Sequence, residues 1–275
     1  MGAARRMWDD AAGRLASATR DRLIDALLLS TVRVATFQGP QPLTAASGFL
    51  FERDTRLFVV TSRHVLSDPP SGHEPDRIEI TLHTSETRLA QVAVQSLLLY
   101  DGGRAVWRQG RDASGAIDVA VIELQRHALP PGVVLRPFTP AHLLGSLEGV
   151  EVGQPLLLVG YPLGFYDTVH HLPVVRQAAV ASAFGVRFQG QGLFLTDARA
   201  HRGSSGGAVV MRDPRVAGAL GWRLLGVHSS RMDMATRDRV QDESLGLNCA
   251  WYADILLTLT EDAALTPPGA GARPT

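Results

Sequence analysis

The sequence contains no lysine, because all 27 of its basic residues are arginine. This absence excludes Schiff-base chemistry, a P-loop lysine and a serine–lysine dyad, each of which needs a lysine amine. Acidic residues also number 27, so the formal net charge is zero. Nothing in the overall charge favours a nucleic acid or an anionic membrane as a partner. The bias towards arginine and alanine is typical of a GC-rich bacterial genome.

Cysteine occurs once, at Cys249, so the chain cannot form an internal disulfide. The fold therefore does not depend on an oxidising compartment. Long apolar runs are also missing: the longest early one, residues 26–29, is far too short to span a bilayer. Trp8, Asp9 and Asp10 stand where a signal peptide would be apolar. We expect a cytoplasmic protein, with export by a leaderless route as the alternative.

Short apolar runs separated by turns make up most of the chain from Thr31 onwards, and few segments have a helical period. The runs predict strands at 32–37, 47–51, 57–61, 78–82, 90–94, 119–122, 155–159, 174–181, 193–195, 208–211 and 224–227. Residues 126–150 carry four prolines and divide these strands into two comparable halves. The pattern predicts an all-β protein built from two small barrels with a cleft between them.

The two ends of the chain differ from this pattern. Residues 5–30 show apolar residues at mixed spacings of three and four, which predicts an N-terminal helical extension over residues 1–30. The plainer interpretation is a helix that packs on the main domain, and the sharper one is a docking element for a regulatory protein partner. The main domain then covers 31–262, with one barrel over 31–125, a connector over 126–150 and a second barrel over 151–262. A short helix over 253–259 and a disordered Pro/Gly/Ala-rich tail over 263–275 follow.

Glycines surround a serine at residues 203–207, Gly-Ser-Ser-Gly-Gly, directly before an apolar run. Such glycines let the backbone turn sharply and let a substrate carbonyl approach closely. The main-chain N–H groups of Gly203 and Ser205 could then both point at a developing oxyanion. By itself this pattern slightly favours an ordinary turn between two strands.

A nucleophilic serine also needs a base and an acid that orients the base. Of nine histidines, His64 stands out because it follows the strand at 58–61 directly. Asp118 is the one aspartate just inside an apolar strand, where a carboxylate is costly unless it is paired. Each residue alone has an ordinary structural explanation, but the ordered set His64, Asp118, Ser205 rarely arises by chance.

Residues 61–66, Thr-Ser-Arg-His-Val-Leu, resemble the histidine motif of chymotrypsin-fold (trypsin-like) serine peptidases. Residues 118–122 are similar to the aspartate strand of that family, and residues 203–209 to its serine loop. Residues 196–198, 202–203 and 160–164 look closest to the bacterial high-temperature-requirement type. The resemblance extends over about 32–260 and implies two six-stranded antiparallel β-barrels with the active site between them.

The resemblance implies a serine endopeptidase that acts on proteins or peptides without a metal or other cofactor. His64 is then the general base, Asp118 holds its tautomer, Ser205 attacks the carbonyl, and the N–H groups of Gly203 and Ser205 form the oxyanion hole. Ser204 replaces the aspartate that pairs with a new amino terminus in zymogen-activated members, and no Ile-Val-Gly-Gly start is present. We therefore expect activation by loop ordering. We also expect no PDZ domain, because few residues follow the terminal helix.

Residues 226–229, Gly-Val-His-Ser, resemble a stretch of glutamyl endopeptidases whose histidine helps to bind an acidic P1 side chain. Arg199, six residues before Ser205, falls near the expected floor of the same pocket. This resemblance implies substrate-binding roles for His228, Ser229 and Arg199. The alternative, which we weight slightly higher, is a structural His228 and a solvent-facing Arg199.

Three other functions compete with this interpretation. A catalytically silent peptide-binding module is the main alternative, although all three triad positions are filled. Residues 203–207 also satisfy the Gly-x-Ser-x-Gly elbow of α/β-hydrolase esterases, but that fold orders its triad Ser, acid, His and alternates strands with helices. A metallohydrolase is weaker still, since the adjacent His170 and His171 would face opposite ways on a strand.

Overall fold

The computed structural model describes residues 24–146, 149–216, 218, 220–232 and 245–262. Most of residues 1–30 and the tail over 263–275 lie outside these ranges, so the predicted long helix, its docking role and the disordered tail stay predictions. The described part of the predicted extension contains a short helix α1, Ala26–Ser30, capped by the side chain of Asp25. Ala26 and Leu27 are buried in the protein core. This segment therefore packs on the main domain.

Fifteen strands, two further short α-helices and five three-residue 3₁₀ helices make up the regular structure in the rest of the described residues. The strands are β1 Thr31–Gln38, β2 Gln41–Arg53, β3 Arg56–Thr61, β4 Arg77–His83, β5 Val92–Leu98, β6 Tyr100–Asp101, β7 Arg104–Ala105, β8 Trp107–Asp112, β9 Gly115–Leu124, β10 Pro155–Gly160, β11 Val174–Ala179, β12 Leu193–Thr196, β13 Ala208–Arg212, β14 Trp222–Arg231 and β15 Asn248–Tyr252. The helices are α2 Arg63–Leu66 and α3 Ile255–Leu259. The predicted all-β class with a short C-terminal helix is confirmed.

Two antiparallel sheets form the two halves of the molecule. The first half has the strand order β5-β4-β1-β2-β3-β9-β8, and the second has β11-β10-β13-β14-β15-β12. The second sheet closes on itself, because Val180 after β11 bridges to Thr196 at the end of β12. In the first sheet a hydrogen bond from Val106 N–H to the Leu99 carbonyl links the regions beside the two edge strands. The first barrel thus has seven strands within the described residues, one more than the resemblance implied, and the second has six.

Residues 46–51 of β2, 57–61 of β3 and 119–122 of β9 are buried without interruption, which explains their continuous apolar runs. Phe49, Phe58 and Val119 lie in a cluster shared by both barrels. Leu50 and Val59, their alternating neighbours, point into the first barrel. A third cluster, which includes Phe184, Phe194 and Tyr252, fills the second barrel. The two barrels therefore share one continuous apolar interface, and the loops at its edge are held at fixed positions.

The connector over 126–150 has no strand among its described residues, as its prolines predict. It is nevertheless packed against the barrels. Phe138 is fully buried, its N–H donates to the Leu50 carbonyl, and its carbonyl accepts from the Glu52 N–H. Farther along, Arg223 of β14 donates to the carbonyls of Ala141 and Leu143. The connector is thus fixed to both barrels.

Candidate active site

His64 lies on α2, the one-turn helix that follows β3. The helix is anchored because Val65 and Leu66 are buried in the first barrel. The side chain of His64 keeps 33% of its surface exposed on the cleft side of this helix. The apolar strand and the buried half-turn thus place a solvent-accessible imidazole on a rigid support.

Asp118 lies on β9, and its carboxylate is 18% exposed. It accepts a hydrogen bond of 2.9 Å from the His64 main-chain N–H on one oxygen. Its other oxygen is 2.7 Å from His64 Nδ1 and accepts from Ser229 Oγ at 2.5 Å. Arg63 Nε lies 3.9 Å from the first oxygen. Asp118 therefore fixes both the main chain and the ring of His64.

Burial alone would raise the pKa of Asp118. The hydrogen bond from the His64 ring, the charge of that ring, and the hydrogen bonds from Ser229 and the His64 main chain outweigh burial, so the pKa lies below its usual value. The carboxylate is thus ionised at neutral pH. An ionised acceptor at Nδ1 selects the tautomer of His64 that leaves Nε2 free to accept a proton.

Ser205 occupies the turn between β12 and β13. Gly203 and Gly206 on either side have φ of +86° and +84°, a conformation that favours glycine. Ser205 Oγ donates a 2.9 Å hydrogen bond to the main-chain oxygen of Ser229, its only partner among the described residues. The structure thus brings the three predicted residues into one region, where Ser229 contacts both Asp118 and Ser205.

The peptide groups around Ser205 have defined directions. The Arg202 carbonyl accepts a 2.5 Å hydrogen bond from the Leu163 N–H, and the Ser204 carbonyl accepts from the Gly207 N–H at 2.9 Å. In a trans peptide the N–H points opposite to the carbonyl, so the N–H groups of Gly203 and Ser205 face away from these partners. Neither N–H donates to any acceptor in the described part of the chain.

His228 and Ser229 lie on β14, beside the nucleophile. His228 is 2% exposed, and its Nδ1 has no hydrogen-bond partner among the described residues. Burial, with a smaller effect from His64, lowers the pKa of His228 to about 4, although Asp118 opposes this shift. Its main-chain oxygen accepts from Gly206 N–H and from Ser62 Oγ. His228 is therefore a buried neutral imidazole with one unused polar atom.

Arg199 lies on the exposed segment between β12 and Ser205. Its neighbours His201 and Arg202 are exposed too, as is Arg231 at the end of β14. Within the described ranges no carboxylate lies within ion-pair distance of Arg199, Arg202 or Arg231. The structure therefore places Arg199 near the surface, outside the hydrogen-bonded group formed by His64, Asp118, Ser205 and Ser229.

Sequence reasoning missed Ser47, a fully buried serine on β2 that contacts the nucleophile loop. A hydroxyl inside the apolar run at 46–51 is the signal that could have identified it, because buried hydroxyls need partners. It also missed Thr61 and Ser62, whose hydroxyls bond the Ser47 and His228 carbonyls. These contacts join segments far apart in sequence, so no local pattern reveals them.

Metal-binding groups do not converge at this site: in the described ranges no three His, Cys, Asp or Glu side chains lie together in a way that could hold a metal ion. His170 instead bonds Asp167, its Nδ1 lying 2.7 Å from the carboxylate, and the ring of His171 lies beside Tyr166. A cavity of about 540 Å³ lies on the second barrel against Leu157, Arg212 and Trp222. It includes none of the predicted site residues.

A family model described as a trypsin-like peptidase domain matches residues 46–218, more than half of the chain. No curated protein matches. Among solved structures, the serine endoprotease from Yersinia pestis is similar at 16% identity with a TM-score of 0.52. The alignment covers 86% of this chain and 64% of the Yersinia protein, so the chain spans less than two thirds of that protein's length. This similarity shows the fold.

The Rv3671c protease from M. tuberculosis, in its active form, also aligns, at 17% identity over 89% of this chain and 85% of that one, with a TM-score of 0.48. None of the described helices is long and apolar enough to cross a bilayer.

Proposed function

Since this chain belongs to the family of trypsin-like peptidase domains, we propose that it is a serine endopeptidase with His64, Asp118 and Ser205 as its triad. His64 takes the proton of Ser205 as the serine attacks the peptide carbonyl, and it returns that proton to the leaving amine. Asp118 orients His64 and stabilises the imidazolium. Water, losing a proton to His64, then attacks the acyl carbonyl; the ester bond to Ser205 Oγ breaks, and His64 returns the proton to that oxygen.

One observation carries this proposal: the Asp118 carboxylate binds the ring and main chain of His64 and also accepts from the side chain of Ser229, the residue whose carbonyl accepts from Ser205 Oγ. A buried strand carboxylate that is only structural would not need as its partner an imidazole that is one third exposed. An oriented base and a glycine-flanked hydroxyl thus belong to one hydrogen-bonded group that Ser229 connects, and acyl transfer requires these two groups.

The Gly203 and Ser205 N–H groups are proposed as the oxyanion hole. What supports this is the direction of both peptides and the lack of another acceptor for either N–H among the described residues. Donors already fixed in place stabilise developing charge without reorganising during the reaction.

Substrate binding is proposed to align the nucleophile. The Ser205 hydroxyl donates to the Ser229 carbonyl, so a rotation about χ1 is needed to turn it towards His64.

Zymogen cleavage is the less suitable trigger, because Ser204 offers no carboxylate to pair with a new amino terminus. Ser204 is buried, and its N–H bonds the His201 carbonyl. Ordering by substrate or a protein partner is therefore the activation that we propose.

An acidic P1 residue is the proposed preference. Support comes from Nδ1 of the neutral, buried His228, which has no partner among the described residues and can donate a hydrogen bond to a carboxylate. The exposed Arg199, nearby in sequence, adds to it. Arg202 and Arg231 add further positive charge without ion-pair partners in the described ranges. A hydrogen bond to a charged group is worth roughly 1.5–3 kcal/mol, enough for a preference of about one to two powers of ten.

The activity is tested with a fluorophosphonate probe, which labels an activated serine. We expect the wild-type chain and Ser204→Ala to be labelled, and Ser205→Ala to remain unlabelled. Absence of labelling in the folded wild-type chain under all conditions would contradict the peptidase and support the peptide-binding module.

The P1 preference is tested with a peptide library that varies this position. Cleavage after Glu is expected to exceed cleavage after Leu or Arg, and Arg199→Ala should reduce the Glu preference. Arg104→Ala, which changes an exposed arginine in the β6–β7 hairpin, is the matched control. Equal cleavage after Glu, Leu and Arg in the wild-type enzyme would remove the acidic preference and leave the endopeptidase proposal intact.

A further inference from the structure

Ser47 of β2 uses all of its polar groups to join the first barrel to the nucleophile loop of the second. Its Oγ donates to the Gly203 carbonyl at 2.7 Å and accepts from the Tyr161 N–H at 2.8 Å. Its N–H donates to the Ser205 carbonyl at 3.0 Å, and its carbonyl accepts from Thr61 Oγ1 at 2.8 Å. The residue is 0% exposed.

We propose that Ser47 is a positioning residue that holds the Gly203 peptides in the direction needed for the oxyanion hole. This inference rests on the proposed endopeptidase function and deepens it. Ser47 does not touch the substrate. It acts through Gly203, whose backbone would otherwise rotate freely because glycine lacks a side chain.

Both peptides that flank Gly203 depend on this one hydroxyl. The peptide after Gly203 is held directly, because its carbonyl accepts from Ser47 Oγ. The peptide before it is held by the Leu163 N–H, which bonds the Arg202 carbonyl. Leu163 belongs to the short segment that begins at Tyr161, and the Tyr161 N–H is itself bonded to Ser47 Oγ. Ser47 thus fixes the loop and also the segment that the loop contacts.

The packing around Ser47 leaves room for its hydroxyl. A Cβ on Gly160 would lie 2.4 Å from Ser47 Oγ, so a glycine at this position leaves room for the hydroxyl. A Cβ on Gly203 would lie 2.6 Å from the Tyr161 carbonyl. The backbone at Gly160 and Gly203 is therefore too close to its neighbours for side chains at these two positions.

The test compares Ser47→Ala with Thr36→Val. Thr36 is a suitable control because it is also 0% exposed, and its Oγ1 likewise contacts one backbone carbonyl and accepts from one backbone N–H, both of Thr44. Thr36 Oγ1 also lies 3.0 Å from Thr44 Oγ1. Each variant removes one buried hydroxyl that contacts a backbone carbonyl and a backbone N–H. Only the first removes it from the nucleophile loop.

We expect Ser47→Ala to reduce kcat and the rate of fluorophosphonate labelling by about 10- to 100-fold, with KM changed by less than about threefold. Thr36→Val should retain the wild-type kcat and labelling rate while its melting temperature falls by a similar amount. Equal effects of the two variants on kcat, or a wild-type kcat in Ser47→Ala, would overturn the inference.

A second variant keeps the test decisive if Ser47→Ala does not fold. Gly160→Ala leaves the serine in place but pushes its hydroxyl away from the bridging position, and it should reproduce the loss in kcat. If the wild-type chain is not labelled at all, the proposed function fails, and a crystal structure of Ser47→Ala then decides about Ser47. A rotated Gly203 carbonyl supports the positioning role, and an unchanged one refutes it.

Discussion

Ser229 contacts the predicted nucleophile with its main chain and the predicted acid with its side chain. Its carbonyl accepts from Ser205 Oγ at 2.9 Å, and its Oγ donates to Asp118 at 2.5 Å. The same strand, β14, also carries His228, whose carbonyl fixes Gly206. One strand of the second barrel therefore sets the positions of the serine turn and of the carboxylate that comes from the first barrel.

Replacing Asp118 by Asn should decrease kcat by about 10⁴-fold at pH 7. The amide would donate to His64 Nδ1, which forces the proton onto Nε2 and removes the base that Ser205 needs. The measurement is kcat on a peptide substrate and the labelling rate with a fluorophosphonate. Asp101→Asn, which changes an exposed carboxylate in the β6–β7 hairpin, should behave as wild type. A kcat of Asp118→Asn within tenfold of wild type would exclude the proposed triad.

His228 should make the folded state less stable as the pH falls. Its pKa is about 4 in the folded chain, below the ordinary value of 6.5. Between these values the unfolded chain binds a proton that the folded chain does not, so the free energy of unfolding decreases as the pH falls. Above pH 6.5 both states are neutral and the contribution is constant. From pH 7 to pH 4 the loss from this residue is about 3 kcal/mol.

The measurement is urea unfolding of the wild-type chain and of His228→Phe at several pH values. The wild-type curve should fall more steeply, by about 3 kcal/mol between pH 7 and pH 4. His83 and His142 also have lowered pKa values, chiefly through burial, but both variants contain them, so they cancel in the difference. Parallel curves would show that His228 is protonated equally in both states.

The sequence predicts the class of the fold and the candidate triad because both depend on local pattern. Continuous apolar runs mark β3, β9 and β13: His64 follows β3, Asp118 lies within β9, and Ser205 precedes β13. Strands β8 and β15 were missed: Trp107–Asp112 is largely polar, and Asn248–Tyr252 is short and does not alternate. Their conformation is set by pairing with β9 and β14, which a local pattern does not show.

The hydrogen bonds that position the site residues could not be predicted from local sequence patterns either. Ser47 and Gly203 are 156 positions apart in the chain. The direction of Ser205 Oγ is a rotamer choice between acceptors that only the folded structure brings together. For the same reason the sequence could name His228 and Ser229 as candidate binding residues, but it could not show that the His228 side chain is buried.

Phe138 should prove a structural residue of the connector. It is fully buried among residues of both barrels, and its ring packs edge-on against Phe49 at 5.6 Å. Phe138→Ala is expected to lower the free energy of unfolding by about 3–5 kcal/mol, measured by urea denaturation. Val152→Ala, at a side chain that is 68% exposed, should change it by less than about 0.5 kcal/mol. A similar small change for Phe138→Ala would mean that the connector is only a linker.

Gly206 should tolerate no side chain, because its backbone lies against Ser47 and Thr61. An added Cβ would lie 2.2 Å from the Ser47 carbonyl and 2.3 Å from Thr61 Oγ1, and φ is +84°. Left-handed strain and overpacking together predict that Gly206→Ala destabilises the fold by more than about 3 kcal/mol and abolishes labelling of Ser205.

Gly103→Ala separates the two effects, since Gly103 has φ of +79° with nothing within 4 Å of an added Cβ. It should cost only about 1–2 kcal/mol and keep full labelling, because it carries the strain without the clash. Equal stability losses in the two variants would show that backbone strain alone limits these positions and that the contact of Gly206 with Ser47 is not tight.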